Sequence, residues 1–344
     1  MILEGTVLAG PGYDPVEGRV VVEDGHVESV EETETDSTDI VLPAFVNAHT
    51  HVGDSIAKEA GGGLSLEELV APPDGLKHRL LAEASREEMV EAIRRSLRFM
   101  ERAGTAAFLD FRENDVEGVE ILREAVSGRA IEPRIFARGS PEAMEAGDGF
   151  GASGAKDADF SIERNATRRA GKPFAIHAGE ADSADVNPAL DLDPDFLVHM
   201  VHTEPLHLER LEERGTPVVV CPRSNLVTGV GVPNVRELLD TTTVALGTDN
   251  VFLNAPSMFR EMEFTAKLCD VSATEVLRMA TRAGAEFADL NCGTVEAGRE
   301  ARLIVLDGDS DNLAGAQDVV RAVVRRAGVA DVKSVLLERP DPTA

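Results

Sequence analysis

Phe45-Val46-Asn47-Ala48-His49-Thr50-His51 is an apolar run that closes on two histidines spaced two apart. In an extended chain residues i and i+2 share a face, so both imidazoles leave the strand on one side. Working outward from this stretch, the same pattern recurs, a short apolar segment ending on a polar side chain. Asp110 and Arg112 end the segment at 106–111, Arg138 follows 134–137, His177 closes 174–177 and His199 lies within 196–202. Arg223 and Asn225 follow 218–221, and Asp249 follows 244–247. With 41–51 and 150–155 these make eight candidate strands. Amphipathic helical stretches separate most of them, with capping-box starts at Ser85/Glu88 and Ser272/Glu275. Eight strands alternating with helices over about 250 residues predict an α/β chain folded as a (β/α)₈ barrel. A doubly wound open sheet would carry GxGxxG after its first strand, and that loop is absent. In a barrel, reactive groups collect at the C-terminal ends of the strands, which is where these polar side chains fall.

The chain ends read differently. Short β-like pieces at 6–8, 19–23 and 27–30 are punctuated by Gly10, Gly12 and Asp24-Gly25, and similar pieces return at 301–306 and 332–337. Residues 1–42 and 293–344 are therefore expected to build one small β-sandwich domain, with the barrel spanning 43–292. The 344 residues hold 34 Lys+Arg against 62 Asp+Glu, a formal charge of −28. Such a charge repels nucleic acid and anionic membrane, so neither is an expected partner. Only six of the basic residues are Lys, there is one Tyr and there is no Trp. That composition suits a halophilic proteome, in which acidic surfaces stay hydrated. Three scattered cysteines, Cys221, Cys269 and Cys292, predict a reduced, cytoplasmic protein rather than a disulfide framework. No signal-peptide pattern and no apolar run of about 18 residues is present.

Two convergent neutral imidazoles suit a borderline transition metal. An HxH pair alone is equally well a polar strand cap. His177-Ala178-Gly179-Glu180 adds a third nitrogen and, three residues on, a carboxylate able to move protons. His199 ends the next strand, whereas His202 has the opposite parity and is expected to face helix or solvent. His26, His78 and His207 read as structural. Asp249, directly after an apolar strand, either caps a helix or completes a His₃Asp site that leaves a position open to water. Each motif has a bland reading; all four in strand order, at one end of the strands, make coincidence improbable.

At these residues the sequence resembles the amidohydrolase superfamily. Pro43-Ala44-Phe45-Val46-Asn47-Ala48-His49-Thr50-His51 is similar to its P-G-F-[VI]-N-x-H-x-H opening, with Ala44 in place of Gly. His177-x-x-Glu180, His199, Cys221-Pro222-Arg223-Ser224-Asn225 and Leu246-Gly247-Thr248-Asp249 resemble the cytosine-deaminase and chlorohydrolase branch. His51-Val52-Gly53-Asp54-Ser55 is similar to an archaeal group of predicted chlorohydrolases. The resemblance implies that His49, His51, His177 and Asp249 bind one divalent metal, with Zn first and Fe(II), Mn or Co as alternatives. It implies further that Glu180 shuttles a proton to the substrate, that His199 orients the attacking water, and that Asp249 takes the water's proton. Binuclear relatives use a carboxylated Lys at the end of the fourth strand, where Lys156 stands. The His177-x-x-Glu180 spacing favours a single metal.

Asp110, Arg112, Arg138, Arg223 and Asn225 are the candidate contacts to a small-molecule substrate, reading a polar heterocycle or an anionic tail. Phe111 and Phe252 are candidate stacking surfaces, and Lys77-His78 a candidate lid. The leading expectation is hydrolytic deamination of an aminated nucleobase-, nucleoside- or pterin-like heterocycle. Dehalogenation or cyclic-amide opening on the same site is the alternative, and a non-catalytic metal-bound scaffold the alternative of another class. A homodimer or larger homo-oligomer is expected, with no seam in the sequence to place it.

Overall fold

A computed structural model describes residues 1–70 and 75–337. Residues 338–344, part of the expected small domain, lie outside them. Strands β1 (Ile2–Ala9), β2 (Asp14–Glu23), β3 (His26–Glu32) and β4 (Ile40–Pro43) open the chain. Then come β5 (Phe45–His51), β6 (Thr105–Arg112), β7 (Glu132–Ala137), β8 (Gly149–Gly154) and β9 (Phe174–Ala178). They are followed by β10 (Phe196–His199), β11 (Val218–Val220), β12 (Val244–Leu246) and β13 (Asp249–Asn250), and finally by β14 (Leu303–Leu306) and β15 (Val332–Leu336).

The central sheet runs β12-β11-β10-β9-β8-β7-β6-β5-β13, all parallel. β12 and β13 are two pieces of one eighth strand. The first pairs with β11 and the second with β5, so the ring closes into the expected barrel. The break falls at Gly247, where a Cβ would stand 2.7 Å from the Cβ of His49. Glycine is what lets the eighth strand press against the first. Ser85/Glu88 and Ser272/Glu275 form the capping boxes expected ahead of the helices Arg86–Arg102 and Ala273–Ala280.

The barrel is filled by Val46, Ala48, Ala107, Leu109, Phe111, Ala175, Val198, Val219, Cys221 and Ala245, the inward side chains of successive strands. A parallel strand alternates in and out, which would put His49 and His51 on the side opposite Val46 and Ala48. A bulge resolves this: between Asn47 and Thr50 the register against β6 gains one residue. The extra residue turns both imidazoles into the barrel mouth.

The expected strand 41–51 is divided at Ala44. β4 joins the sheet of the chain ends, and β5 opens the barrel. The strands of both ends form one six-stranded sheet, β15-β14-β4-β1-β2-β3, where a two-layer sandwich was expected. The helix Val319–Arg325 leaves that sheet and packs on the barrel helices Met258–Leu268 and Ala273–Ala280. At the opposite end of the barrel from the histidines, buried Arg302 reaches Glu132 at 2.7 Å and ties sheet to barrel.

Candidate metal centre

His49, His51, His177 and Asp249 meet at the mouth, with one ligand-type atom of each within 4.8 Å of the others. The Asp249 Oδ1 atom lies 3.2 Å from His49 Nε2 and 3.5 Å from His51 Nε2. Its other oxygen accepts the Ser224 hydroxyl at 2.5 Å, which leaves Oδ1 facing the imidazoles. His177 donates Nδ1–H to the Ala152 carbonyl at 2.8 Å, so its Nε2 is free, and His51 Nδ1 lies 3.0 Å from a Glu113 carboxylate oxygen. Beneath them the Phe111 ring meets His49 edge-on at 4.6 Å and His177 at 5.1 Å. Phe111 is thus floor, not a stacking surface for substrate, and Phe252 is fully buried beside Ala57 and Leu69.

Burial drives the proton affinity of His49 and His177 down, and burial together with the Lys77 charge brings His51 to about 3. Burial opposes ionisation of Asp249, but the His49 hydrogen bond and the surrounding imidazoles hold it well below the carboxylate range. Three neutral imidazoles and one carboxylate, aimed by Ser224, Ala152 and Glu113, are a donor set that fits a divalent ion. Both Asp249 (φ 53°) and His199 (φ 81°) sit in left-handed backbone. Such strain in non-glycine residues tends to gather at functional sites.

His199 stands beside this set. The Asn225 amide nitrogen donates to its Nδ1 at 3.1 Å, so Nε2 carries the hydrogen and points toward Glu180 Oε2, 3.5 Å away. Glu180 is 22% exposed and its carboxyl is raised, chiefly by burial. Both border a cavity of about 880 Å³ that also touches His51, His177 and Asp249.

Of the five candidate substrate contacts, only Arg138 borders this cavity. Asp110 and Arg112 do share a face, but it is the outer one with Phe108, because Ala107, Leu109 and Phe111 face in. Asp110 accepts the Val52 amide at 2.6 Å, and the Arg112 guanidinium lies between Asp110 and Glu113. Gly53 makes room for it: a Cβ there would fall 1.9 Å from an Arg112 nitrogen. Arg223 is spent on Glu261, at 2.6 Å, and on the Ala255 carbonyl. Asn225 acts on His199 rather than on the cavity. Lys156 pairs with Asp182 at the exposed rim of the same cavity. His202, expected to face away, borders the cavity because His199 and Met200 (φ 50°) end the strand and rotate the chain. Lys77 is in the cavity wall, fully buried between Asp54 and Glu113. Glu113 went unread in the sequence; its signal was its place directly after β6, at the strand end where the other polar groups fall.

Fold and mouth together define an α/β barrel with a site that fits a metal ion. The chain belongs to the amidohydrolase family, whose pattern matches residues 40–336, and is a hydrolase. It is 34% identical to a putative aminohydrolase of Methanothermobacter thermautotrophicus, over 89% of this chain and 91% of that one. It is 26% identical to a 5-methylthioadenosine/S-adenosylhomocysteine deaminase of Halobacterium salinarum, over 97% and 90%. Among solved structures, an adenosine deaminase from Xanthomonas campestris with bound zinc superposes with a TM-score of 0.79 at 19% identity, over 97% and 91%. Atrazine chlorohydrolase from Arthrobacter aurescens, complexed with zinc, gives 0.81 at 16%, over 97% and 93%.

Proposed function

We propose that the protein is a metal-dependent aminohydrolase that releases ammonia from an aminated heterocycle. The carrying observation is the Glu180–His199 pair, 3.5 Å apart, set beside a four-ligand metal site in one cavity. His49, His51, His177 and Asp249 would hold one divalent ion, zinc first, as in the zinc-bound neighbours. Such an ion supplies Lewis acidity, making water a competent nucleophile near neutral pH.

The remaining work falls to side chains. Asp249 is ionised, so it can accept a proton from water at Oδ1 while Ser224 fixes Oδ2. His199, held by Asn225 with Nε2–H outward, donates a hydrogen bond to the attacking oxygen and orients it. Glu180, with its raised carboxyl, gives its proton to the ring nitrogen, takes another from the new hydroxyl as the carbonyl forms and hands it to the departing amine, and the proton that Asp249 took from water restores Glu180. Expulsion of an amine needs that donor, whereas loss of a halide does not, and this favours deamination over dehalogenation. Relatives named aminohydrolase and deaminase point the same way. The substrate is a small molecule that fits the cavity, and the acidic surface argues for work in high salt.

The test is product release by the purified protein in molar KCl with Zn(II), Fe(II) or Mn(II). Amino-purines, amino-pyrimidines, their nucleosides, aminopterins and chlorinated triazines form the panel. Ammonia release that vanishes in Asp249→Ala supports the reading; chloride release, or silence from metal-loaded protein, overturns it.

A further inference from the structure

The buried charges behind His51 take no part in the steps above, yet they converge on one acceptor. Glu113 Oε1 lies 3.0 Å from His51 Nδ1, 2.6 Å from Lys77 Nζ and 3.1 Å from an Arg138 nitrogen. Its Oε2 takes Arg112 at 3.0 Å. Lys77 Nζ reaches Asp54 at 2.9 Å and also comes within 3.4 Å of His51 Nδ1 itself. The His51, Glu113 and Lys77 side chains are all 5% exposed or less.

A carboxylate and an ammonium thus face the same ring nitrogen. A carboxylate only accepts and an ammonium only donates. A neutral imidazole carries one hydrogen, so its partner at Nδ1 dictates what Nε2 presents on the other side. Facing Glu113, Nδ1 bears the hydrogen and Nε2 offers a lone pair toward Asp249. Facing Lys77, Nδ1 accepts, and Nε2 turns a hydrogen toward the place a metal ion must occupy. The other rings follow the same logic. His177 meets a carbonyl at Nδ1 and belongs to the ligand set, whereas His199 meets an amide donor and does not.

We propose that Glu113 is a positioning residue for the metal centre, holding His51 in the Nδ1–H tautomer against the competing Lys77. Lys77 is carried by the helix Leu76–Glu83 beside the cavity, and Glu113 with Asp54 keeps its ammonium off the ring. This rests on the metal-dependent reading and adds to it residues outside the ligand set.

The experiment is Zn(II) affinity by competition with a chromophoric chelator, for wild type, Glu113→Gln, Lys77→Met and the double variant. An amide at position 113 keeps one acceptor oxygen for four donors, His51, Lys77, Arg138 and Arg112, so Glu113→Gln is expected to weaken Zn(II) by about 10- to 100-fold. Removing Lys77 as well takes away the competitor, and the double variant is expected to recover most of that loss. Equal affinity of Glu113→Gln and wild type overturns the proposal, as does a double variant no tighter than the single one, the pattern of mere structural damage. Wild type that binds no Zn(II) overturns the metal-dependent reading and this proposal together. A second readout needs no change at 113. Long-range coupled ¹⁵N spectra of the wild-type apoprotein, with His51 assigned by its loss in His51→Gln, should show the Nδ1–H tautomer. The Nε2–H tautomer would overturn the assignment.

Discussion

Replacing Arg223 by Met separates a residue that holds the barrel together from one that reads substrate. The Arg223 side chain is 6% exposed and that of Glu261 is not exposed at all. Glu261 accepts both the Arg223 amide at 3.0 Å and its Nε at 2.6 Å. Removing the guanidinium strands a buried carboxylate, which costs about 3–5 kcal/mol. Unfolding entropy near 2.1 cal/mol/K per residue gives about 0.7 kcal/mol/K for a chain of this size, so Tm should fall by about 4–7 °C. Burial already raises the Glu261 carboxyl, and losing Arg223 raises it further. The folded variant then binds a proton that the unfolded chain releases, so stability declines as pH rises through that raised value and recovers as pH is lowered. The assay is calorimetry at two pH values in molar KCl, beside KM for whichever substrate is found. Arg223→Met/Glu261→Leu should regain most of the lost Tm. An unchanged Tm with a KM raised tenfold or more would refute the reasoning and return Arg223 to the substrate.

Three further outcomes follow from the same geometry. Glu180→Gln should bind Zn(II) as wild type does while ammonia release drops by about 10²–10⁴-fold, read by parallel metal titration and turnover. Ser224→Ala, which frees Asp249 Oδ2, should weaken Zn(II) by about 10–100-fold in the chelator assay with Tm of the apoprotein nearly unchanged. Gly53→Ala drives a Cβ into the Arg112 guanidinium and should cost about 1–3 kcal/mol, measured as a lowered Tm.

The barrel was legible because its signal is repeated: eight apolar runs, each closing on a polar group, admit few other folds. The meeting of His49, His51, His177 and Asp249 at one mouth was legible for the same reason, since they stand at strand ends in chain order. Side-chain direction was not. Simple alternation would not have placed His49 and His51 on the face of Val46 and Ala48; the bulge after Asn47 does that, and nothing local in Asn47-Ala48-His49 announces a bulge. The parity argument paired Asp110 with Arg112 correctly but chose the wrong face, which only packing against Phe108 and Phe111 decides. His202 was misjudged because two residues of left-handed backbone, His199 and Met200, reset the alternation. Lys77 and Glu113 are 36 positions apart in the chain, and their meeting at 2.6 Å is a tertiary fact without a sequence period behind it.

Metal titration of the apoprotein, followed by turnover, tests the central claim most directly. The four-ligand site predicts that metal-free protein is inert and that activity returns linearly to a plateau at one equivalent of divalent ion per chain. Full activity without metal, or a plateau only at two equivalents, would contradict it.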